Sequence, residues 1–226
     1  MGRRHAPRGR PAPVLRALIR ALAALLALVL VPGCAPVPAP PRDLVVGLVG
    51  EPPALLSDHP SALVLAPAVT EGLVVRDARD ELAPRLVVEI PTLENGGLRL
   101  VYEGDEAGHL VATVRIRSDA RWHDGRPVTA GDVRFAHEEG RALAATAEAS
   151  ALARRIDRVV VVSDEIAHLV GRPGERWHDL VLAARVLPRH VLGGAGPEAV
   201  AAYARAPMHA GPYVVSSWTA GGGLTL

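Results

Sequence analysis

The sequence contains one cysteine, no lysine and no glutamine, and Asn95 is its single carboxamide side chain. With one thiol there can be no disulfide bond within the chain, so oxidation does not staple its fold. The same count excludes a cysteine cluster of the kind that binds metal. All 25 basic residues are arginine, which we interpret as a bias of base composition without functional content.

The motifs of common catalytic sites are also missing. There is no phosphate-binding loop and no recognisable Ser/His/Asp combination. His123 and Asp124 are adjacent, so their side chains point in different directions and a turn is favoured over a site. The run His137–Glu139 lacks the second histidine of a zinc-binding H-E-x-x-H and is interpreted as a solvated helix face. We expect no enzymatic activity, no cofactor and no metal; an exported enzyme using His123 and Asp124 is the least favoured alternative.

The N-terminal part of the chain is typical of an export signal. Residues 1–20 contain six arginines and no acidic residue, and an unbroken apolar run extends from Ala21 to Val31. A membrane-spanning helix needs about 20 apolar residues, which is more than this run supplies. The pattern therefore predicts a signal peptide over residues 1–33.

Cys34 follows the predicted signal directly. The stretch Val31–Cys34, V-P-G-C, resembles the bacterial lipobox, whose cysteine receives diacylglycerol, and this predicts lipidation of Cys34. A buried structural cysteine is disfavoured because the next residues, 34–42, hold four prolines and favour an extended tether of about 3 Å per residue. The protein is expected to be exported and lipid-anchored, at the outer face of the cytoplasmic membrane or facing the periplasm.

Removal of the signal changes the net charge. The chain has 25 arginines and 24 acidic residues, and the signal takes six arginines, which leaves 19 against 24 or about −5. A domain with this balance has no basic footprint for nucleic acid. We therefore expect no nucleic-acid partner.

Residues 43–226 are predicted to form a mixed α/β domain. Asp43–Gly50 is a Val-rich run that ends at glycine, as buried strands do. The run Glu51–Pro53 ends it, because proline cannot donate a hydrogen bond to a neighbouring strand. A helix is expected to begin with Ser61 as its N-cap and to end or kink at Pro67.

Antiparallel pairs are predicted further along. Residues 72–90 are predicted to form a strand, a turn near Asp77–Asp80 and a second extended segment. Leu98–Glu103 and His109–Arg117 form a hairpin, since apolar residues alternate with others along the second strand. Ile156–Ser163 and Glu165–Val170 form another hairpin.

Between these hairpins lies the stretch W-H-D-G-R-P-V-T-A-G-D-V, residues 122–133. Asp124 and Gly125 form a turn dipeptide. Thr129 suits the N-cap of a helix, and Asp132 then falls at N3, where a carboxylate reaches back to free N–H groups. The stretch is predicted to be a strand-to-helix corner.

The same stretch is similar to a signature of the bacterial extracellular solute-binding proteins of family 5, the peptide- and nickel-binding lipoproteins of ABC importers. Five more segments resemble this family in its own order along the chain, which makes a chance match improbable. They are Leu44–Leu56, Glu71–Asp77, Glu81–Val87, Ala184–Leu192 and Ala210–Trp218.

The resemblance implies a type II periplasmic-binding-protein-like lobe of mixed α/β structure. Members of the family are usually much longer, with a second lobe after the G-P-Y segment, so residues 43–226 are expected to be the N-terminal lobe alone, without the second lobe and the returning C-terminal strands. The implied function is the substrate-binding lipoprotein of an ABC importer, for peptides or a related small solute, with permease subunits as partners. One lobe is expected to bind weakly, because a site usually encloses about 70–90% of a ligand's surface. The alternative is a lipid-anchored single-lobe interaction module without transport function.

Glu51 is the candidate ligand-binding residue. It follows the first predicted strand, and α/β sheets place their crevice at the carboxyl ends of strands. The matching family segment is implied to line the cleft between the lobes. An ordinary surface charge is an equally good interpretation.

Overall fold

The computed structural model describes residues 44–102, 108–139 and 154–226. The predicted signal peptide (1–33), Cys34 and the tether (34–42) lie outside these ranges. Residues 47–226 form one compact unit. All helices and strands named below belong to it.

The described residues form a mixed α/β structure, as predicted. The helices are α1 (Pro60–Val69), α2 (Ala130–Glu138), α3 (Trp177–Ala183), α4 (Arg189–Leu192) and α5 (Pro197–Arg205). The strands are β1 (Val74–Arg76), β2 (Leu82–Pro84), β3 (Leu98–Val101), β4 (His109–Arg115), β5 (Ile156–Val161), β6 (Ile166–Gly171), β7 (Ser217–Thr219) and β8 (Gly223–Thr225).

A four-stranded antiparallel sheet in the order β3-β4-β6-β5 is the centre of the domain. Both predicted hairpins are confirmed, since β3 pairs with β4 and β5 pairs with β6. The alternation predicted along residues 109–117 is confirmed in part: Ala112, Val114 and Ile116 are buried and Arg115 is exposed, but Val111, expected on the outer face, is buried as well. Two smaller antiparallel ribbons are formed by β1-β2 and β7-β8.

One large apolar core lies against this sheet. Helices α2 and α3 contribute Val133, Leu180 and Val181, and the strands contribute Leu169 among others. Trp122 is 2% exposed and is the largest fully buried side chain. The tryptophan of the W-H-D-G stretch is therefore a core residue.

The strand-to-helix corner is confirmed. Gly125 has φ +85°, which makes the turn, and Thr129 is the N-cap of α2. The backbone N–H and the hydroxyl of Thr129 both donate to Oδ2 of Asp132, at 2.9 Å each. Oδ1 of Asp132 accepts from the N–H of Arg189 at 3.1 Å, so this carboxylate also fixes α4.

The strand predicted for Asp43–Gly50 is wrong. Residues 44–50 form no regular secondary structure, and Val49 is 94% exposed. The hydroxyl of Ser61 donates to the carbonyls of Val49 (3.0 Å) and Gly50 (2.8 Å). In a sheet, carbonyls such as these would accept hydrogen bonds from a neighbouring strand. Without a strand beside it, an apolar run has no sheet to join.

Helix α1 begins slightly earlier than predicted. The N-cap is His59, whose ring accepts from the N–H of Ser61 at 3.2 Å. Pro67 does not end α1, which continues to Val69. The N–H that Pro67 lacks is a single donor, and the last turn still closes from Thr70 N–H to the carbonyl of Ala66 at 2.7 Å.

Candidate functional site

An open depression of about 290 Å³ lies where four separate segments meet. It is lined by Glu71 after α1, by residues 85–86 after β2, by Arg117 and residues 119–121 after β4, and by residues 210–212. Three of the segments that carried the family resemblance converge here, namely those containing E-G-L, L-A-P-R and G-P-Y. We define this as the candidate functional site and call it the depression.

Gly211 brings the G-P-Y segment against the end of α1. Its N–H donates to the carbonyl of Val69 at 2.9 Å, and the N–H of Tyr213 donates to the carbonyl of Ala68 at 3.0 Å. A Cβ atom on Gly211 would lie 2.3 Å from the carbonyl carbon and oxygen of Val69. The close approach of two backbones therefore requires glycine here.

A buried histidine contacts one of the segments that line the depression. His209 is 5% exposed; its Nδ1 accepts from the N–H of Glu71 at 3.1 Å, and its ring meets Trp122 edge-on with centroids 5.3 Å apart. Burial lowers the pKa of His209 to about 3, with the backbone of Val186 opposing this as a hydrogen-bond acceptor. His209 is therefore neutral at physiological pH, and sequence inspection did not find it.

His123 and Asp124 have structural roles, as their turn geometry predicts. His123 Nε2 is 2.9 Å from the carbonyl of Gly211, and its Nδ1 accepts from the N–H of His209 at 3.2 Å. Asp124 contacts His190 instead, with Nε2 and Oδ2 2.9 Å apart. The two side chains do not converge, so the structure gives no support to an enzyme that uses this pair.

Five charged side chains line the depression, two of them already paired. Nη2 and Nε of Arg117 contact the two oxygens of Asp119 at 2.6 and 2.9 Å. The hydrogen bonds from Arg117 lower the pKa of Asp119. This pair is neutral as a unit.

The remaining three charges are Glu71, Arg85 and Arg121. Burial raises the pKa of Glu71, while the N–H of Gly72 and the charge of Arg85 act to lower it. Nη1 of Arg121 donates to the carbonyls of Ser118 (2.7 Å) and Ala120 (2.9 Å), which fixes the guanidinium. With three guanidiniums and two carboxyl groups, the lining has a surplus of positive charge whenever both acids are ionised.

Glu51 lies outside the depression. Its oxygens accept from the indole N–H of Trp218 and the backbone N–H of Gly221, both at 2.8 Å. Arg205 stacks over Trp218 with Cζ 4.2 Å from the ring centroid, and its Nη2 is 3.9 Å from Glu51. The N–H of Gly221 and then Trp218 lower the pKa of Glu51. Glu51 thus fastens the β7-β8 hairpin, and a ligand contact stays a prediction.

The solvated face predicted for residues 137–139 holds for Glu138 and Glu139, but His137 is half-buried, with Nε2 3.2 Å from the carbonyl of Asp157. Across the three described ranges, no group of three or more His, Cys, Asp or Glu side chains is placed to hold a metal. In the same ranges, no helix is long and apolar enough to cross a membrane.

Solved structures share this fold. The oligopeptide-binding protein of Thermus thermophilus, solved with a pentapeptide, superposes with a TM-score of 0.58 at 23% identity, covering 74% of this chain and 33% of that one. The oligopeptide-binding protein AppA of Bacillus subtilis, solved with a nonapeptide, gives 0.57 at 19% identity, covering 80% and 35%. The fold is that of type II periplasmic binding proteins, and the chain spans about a third of the length of these structures.

The family match is more specific. Residues 103–226 match the bacterial extracellular solute-binding proteins, family 5 Middle, so the chain belongs to this family of binding proteins. The uncharacterized protein y4wM of Sinorhizobium fredii is 28% identical over 122 residues, which cover 49% of this chain and 18% of that protein. The resemblance inferred from the six segments is therefore confirmed.

Proposed function

We propose that this protein is the solute-binding component of an ABC importer for peptides or a related small solute. The match of residues 103–226 to the solute-binding family carries this proposal. Proteins of the same fold were solved with a pentapeptide and a nonapeptide, which supports peptides as the solute class. The partners of such a component are the solute and the permease subunits.

The N-terminal sequence supports an exported, lipid-anchored location. Six arginines followed by an apolar run support export, and V-P-G-C supports diacylglycerol attachment at Cys34. A lipid anchor keeps a binding protein close to its permease, so that delivery does not depend on diffusion through a large volume. The domain binds rather than converts its solute and needs no nucleic acid.

Affinity is limited by the shape of the described surface. The depression is open to solvent, whereas a small-ligand site usually encloses about 70–90% of its ligand. A solute held there alone keeps much of its surface in water. We therefore expect this chain by itself to bind peptides only in the millimolar range.

Peptide uptake in the native host tests the importer and the anchor together. Deletion of the gene is expected to abolish import of radiolabelled peptides that the host takes up, and the wild-type gene to restore it. Cys34→Ala is expected to release the protein from the membrane fraction and to reduce import severalfold, because no thiol remains for lipid. Ala39→Ser in the tether, which keeps Cys34, is the matched control.

Two results would contradict these proposals separately. Equal import with and without the gene refutes the importer role. If the wild-type protein is then still found in the membrane fraction, a lipid-anchored interaction module is favoured. Full membrane retention of Cys34→Ala refutes lipid anchoring while leaving the importer role intact.

We also propose Glu51 as a ligand contact, because its side chain stays 39% exposed beside Arg205 and Trp218. Glu51→Gln keeps the size and removes the charge, so import of peptides with a free amino terminus is expected to fall severalfold and the amide of Gly221 to exchange hydrogen faster. Glu89→Gln, an exposed acid elsewhere, is the control. Faster exchange with unchanged import would leave Glu51 only the fastening role.

A further inference from the structure

Arg85 and Arg121 differ from the third arginine of the depression. Arg117 is paired with Asp119 through two short contacts. Over the described parts of the chain, neither Arg85 nor Arg121 forms an ion pair with a carboxylate. Both are exposed, and both line the same depression.

Arg121 is also held in place before any ligand arrives. Nη1 donates to two carbonyls, at 2.7 and 2.9 Å, and this leaves the other N–H groups of its guanidinium for a further acceptor. A donor whose orientation is already fixed loses less conformational entropy on binding. The backbone of Arg85 is fixed by its N–H, which donates to the carbonyl of Leu73 at 3.0 Å.

The charge of the lining indicates the chemistry of the ligand. Asp119 is hydrogen-bonded to Arg117, and the charge of Arg85 acts on Glu71. Three arginines and two acids line the depression, so the ionised lining has one positive charge in surplus. One carboxylate brings the lining to neutrality. Guanidinium and carboxylate form short charge-assisted hydrogen bonds, often in pairs.

We propose that the depression binds a carboxylate of the solute through the guanidinium groups of Arg85 and Arg121. This rests on the proposed function, since it names the part of the solute that the lobe recognises. The carboxylate is either the carboxyl end of a peptide or an acidic side chain. A volume of about 290 Å³ is at the lower end of ligand pockets and suits the terminal part of such a solute.

Titration followed by NMR tests the proposal with the full chain in an uncharged detergent. The probes are trialanine, its carboxyl-terminal amide, and Ala-Asp-Ala amide, and the reporter is the amide signal of Gly211. Trialanine or Ala-Asp-Ala amide is expected to give saturable shifts with a millimolar Kd, at least about tenfold tighter than trialanine amide. Which of the two acids binds identifies the source of the carboxylate.

The double variant Arg85→Gln/Arg121→Gln is expected to lose this preference. Arg76→Gln, which removes one positive charge on β1 outside the depression, is expected to retain it. Absence of a saturable shift, equal binding of acids and amide, or an unchanged preference in the double variant would each overturn the proposal. Peptide import that still depends on the gene would then leave the importer role standing.

Discussion

Gly211→Ala is expected to lower the free energy of unfolding by about 3 kcal/mol, at the upper end of the usual range for overpacking. The new methyl group would lie 2.3 Å from the carbonyl of Val69, and this neighbour is backbone, so no change of side-chain rotamer relieves the clash. Separation of the two segments would break the hydrogen bond from Gly211 to Val69. Thermal unfolding followed by circular dichroism is expected to show a midpoint lower by about 10 °C.

Gly47→Ala is the matched control, because no atom lies within 4 Å of a Cβ at that position. Its effect is expected to stay within about 0.5 kcal/mol. The two midpoints coinciding would mean that residues 210–213 do not pack against α1 as described. The candidate site would then lose one of its walls.

Acid is expected to destabilise the domain through His209. The pKa of this residue is lowered from 6.5 to about 3 in the folded chain, so the neutral form is the one that folding favours. Above pH 6.5 the ring is neutral in both states and its contribution is fully present. As the pH falls from 6.5 towards 3, the ring is protonated in the unfolded chain and stays neutral in the folded chain. The free energy of unfolding therefore falls by about 1.4 kcal/mol per pH unit.

Urea unfolding between pH 7 and pH 4.5 measures this slope. His209→Gln can still accept from the N–H of Glu71 and cannot take up the proton, so its stability is expected to fall less steeply by about 1.4 kcal/mol per pH unit. The comparison is between slopes, which allows for any loss of packing in the variant. Parallel curves for the two proteins would show that His209 is already accessible to protons in the folded chain.

The parts of the fold that the sequence predicted are those decided within a few residues. Thr129 and Asp132 are three positions apart, and the corner they form depends on little else. The turns after β1 and after β5 are equally local. Each of these features carries its own polar or apolar pattern.

Residues 44–50 have the local pattern of a strand and do not form one. Their valines have the composition of a buried strand, but burial requires a neighbour, and the carbonyls of Val49 and Gly50 accept from Ser61 instead. The candidate site was hidden for the same reason. Glu71, Arg85, Arg121 and Gly211 belong to separate segments. His209, an isolated buried histidine with no motif of its own, links two of these segments, since its Nδ1 accepts from the N–H of Glu71 and its own N–H donates to His123.

The long reach of these contacts has a consequence for the order in which the chain matures. His123 and Gly211 are 88 positions apart, and Glu71 and His209 are 138 apart. A chain synthesised from its N-terminus presents Glu71 and Trp122 well before residues 209–213 follow. Before residues 209–213 are in place, the N–H of Glu71 can form a hydrogen bond only with water, and one edge of the Trp122 ring is exposed. Such distant pairings close slowly, so the newly made domain passes through an interval in which the candidate site has not yet formed.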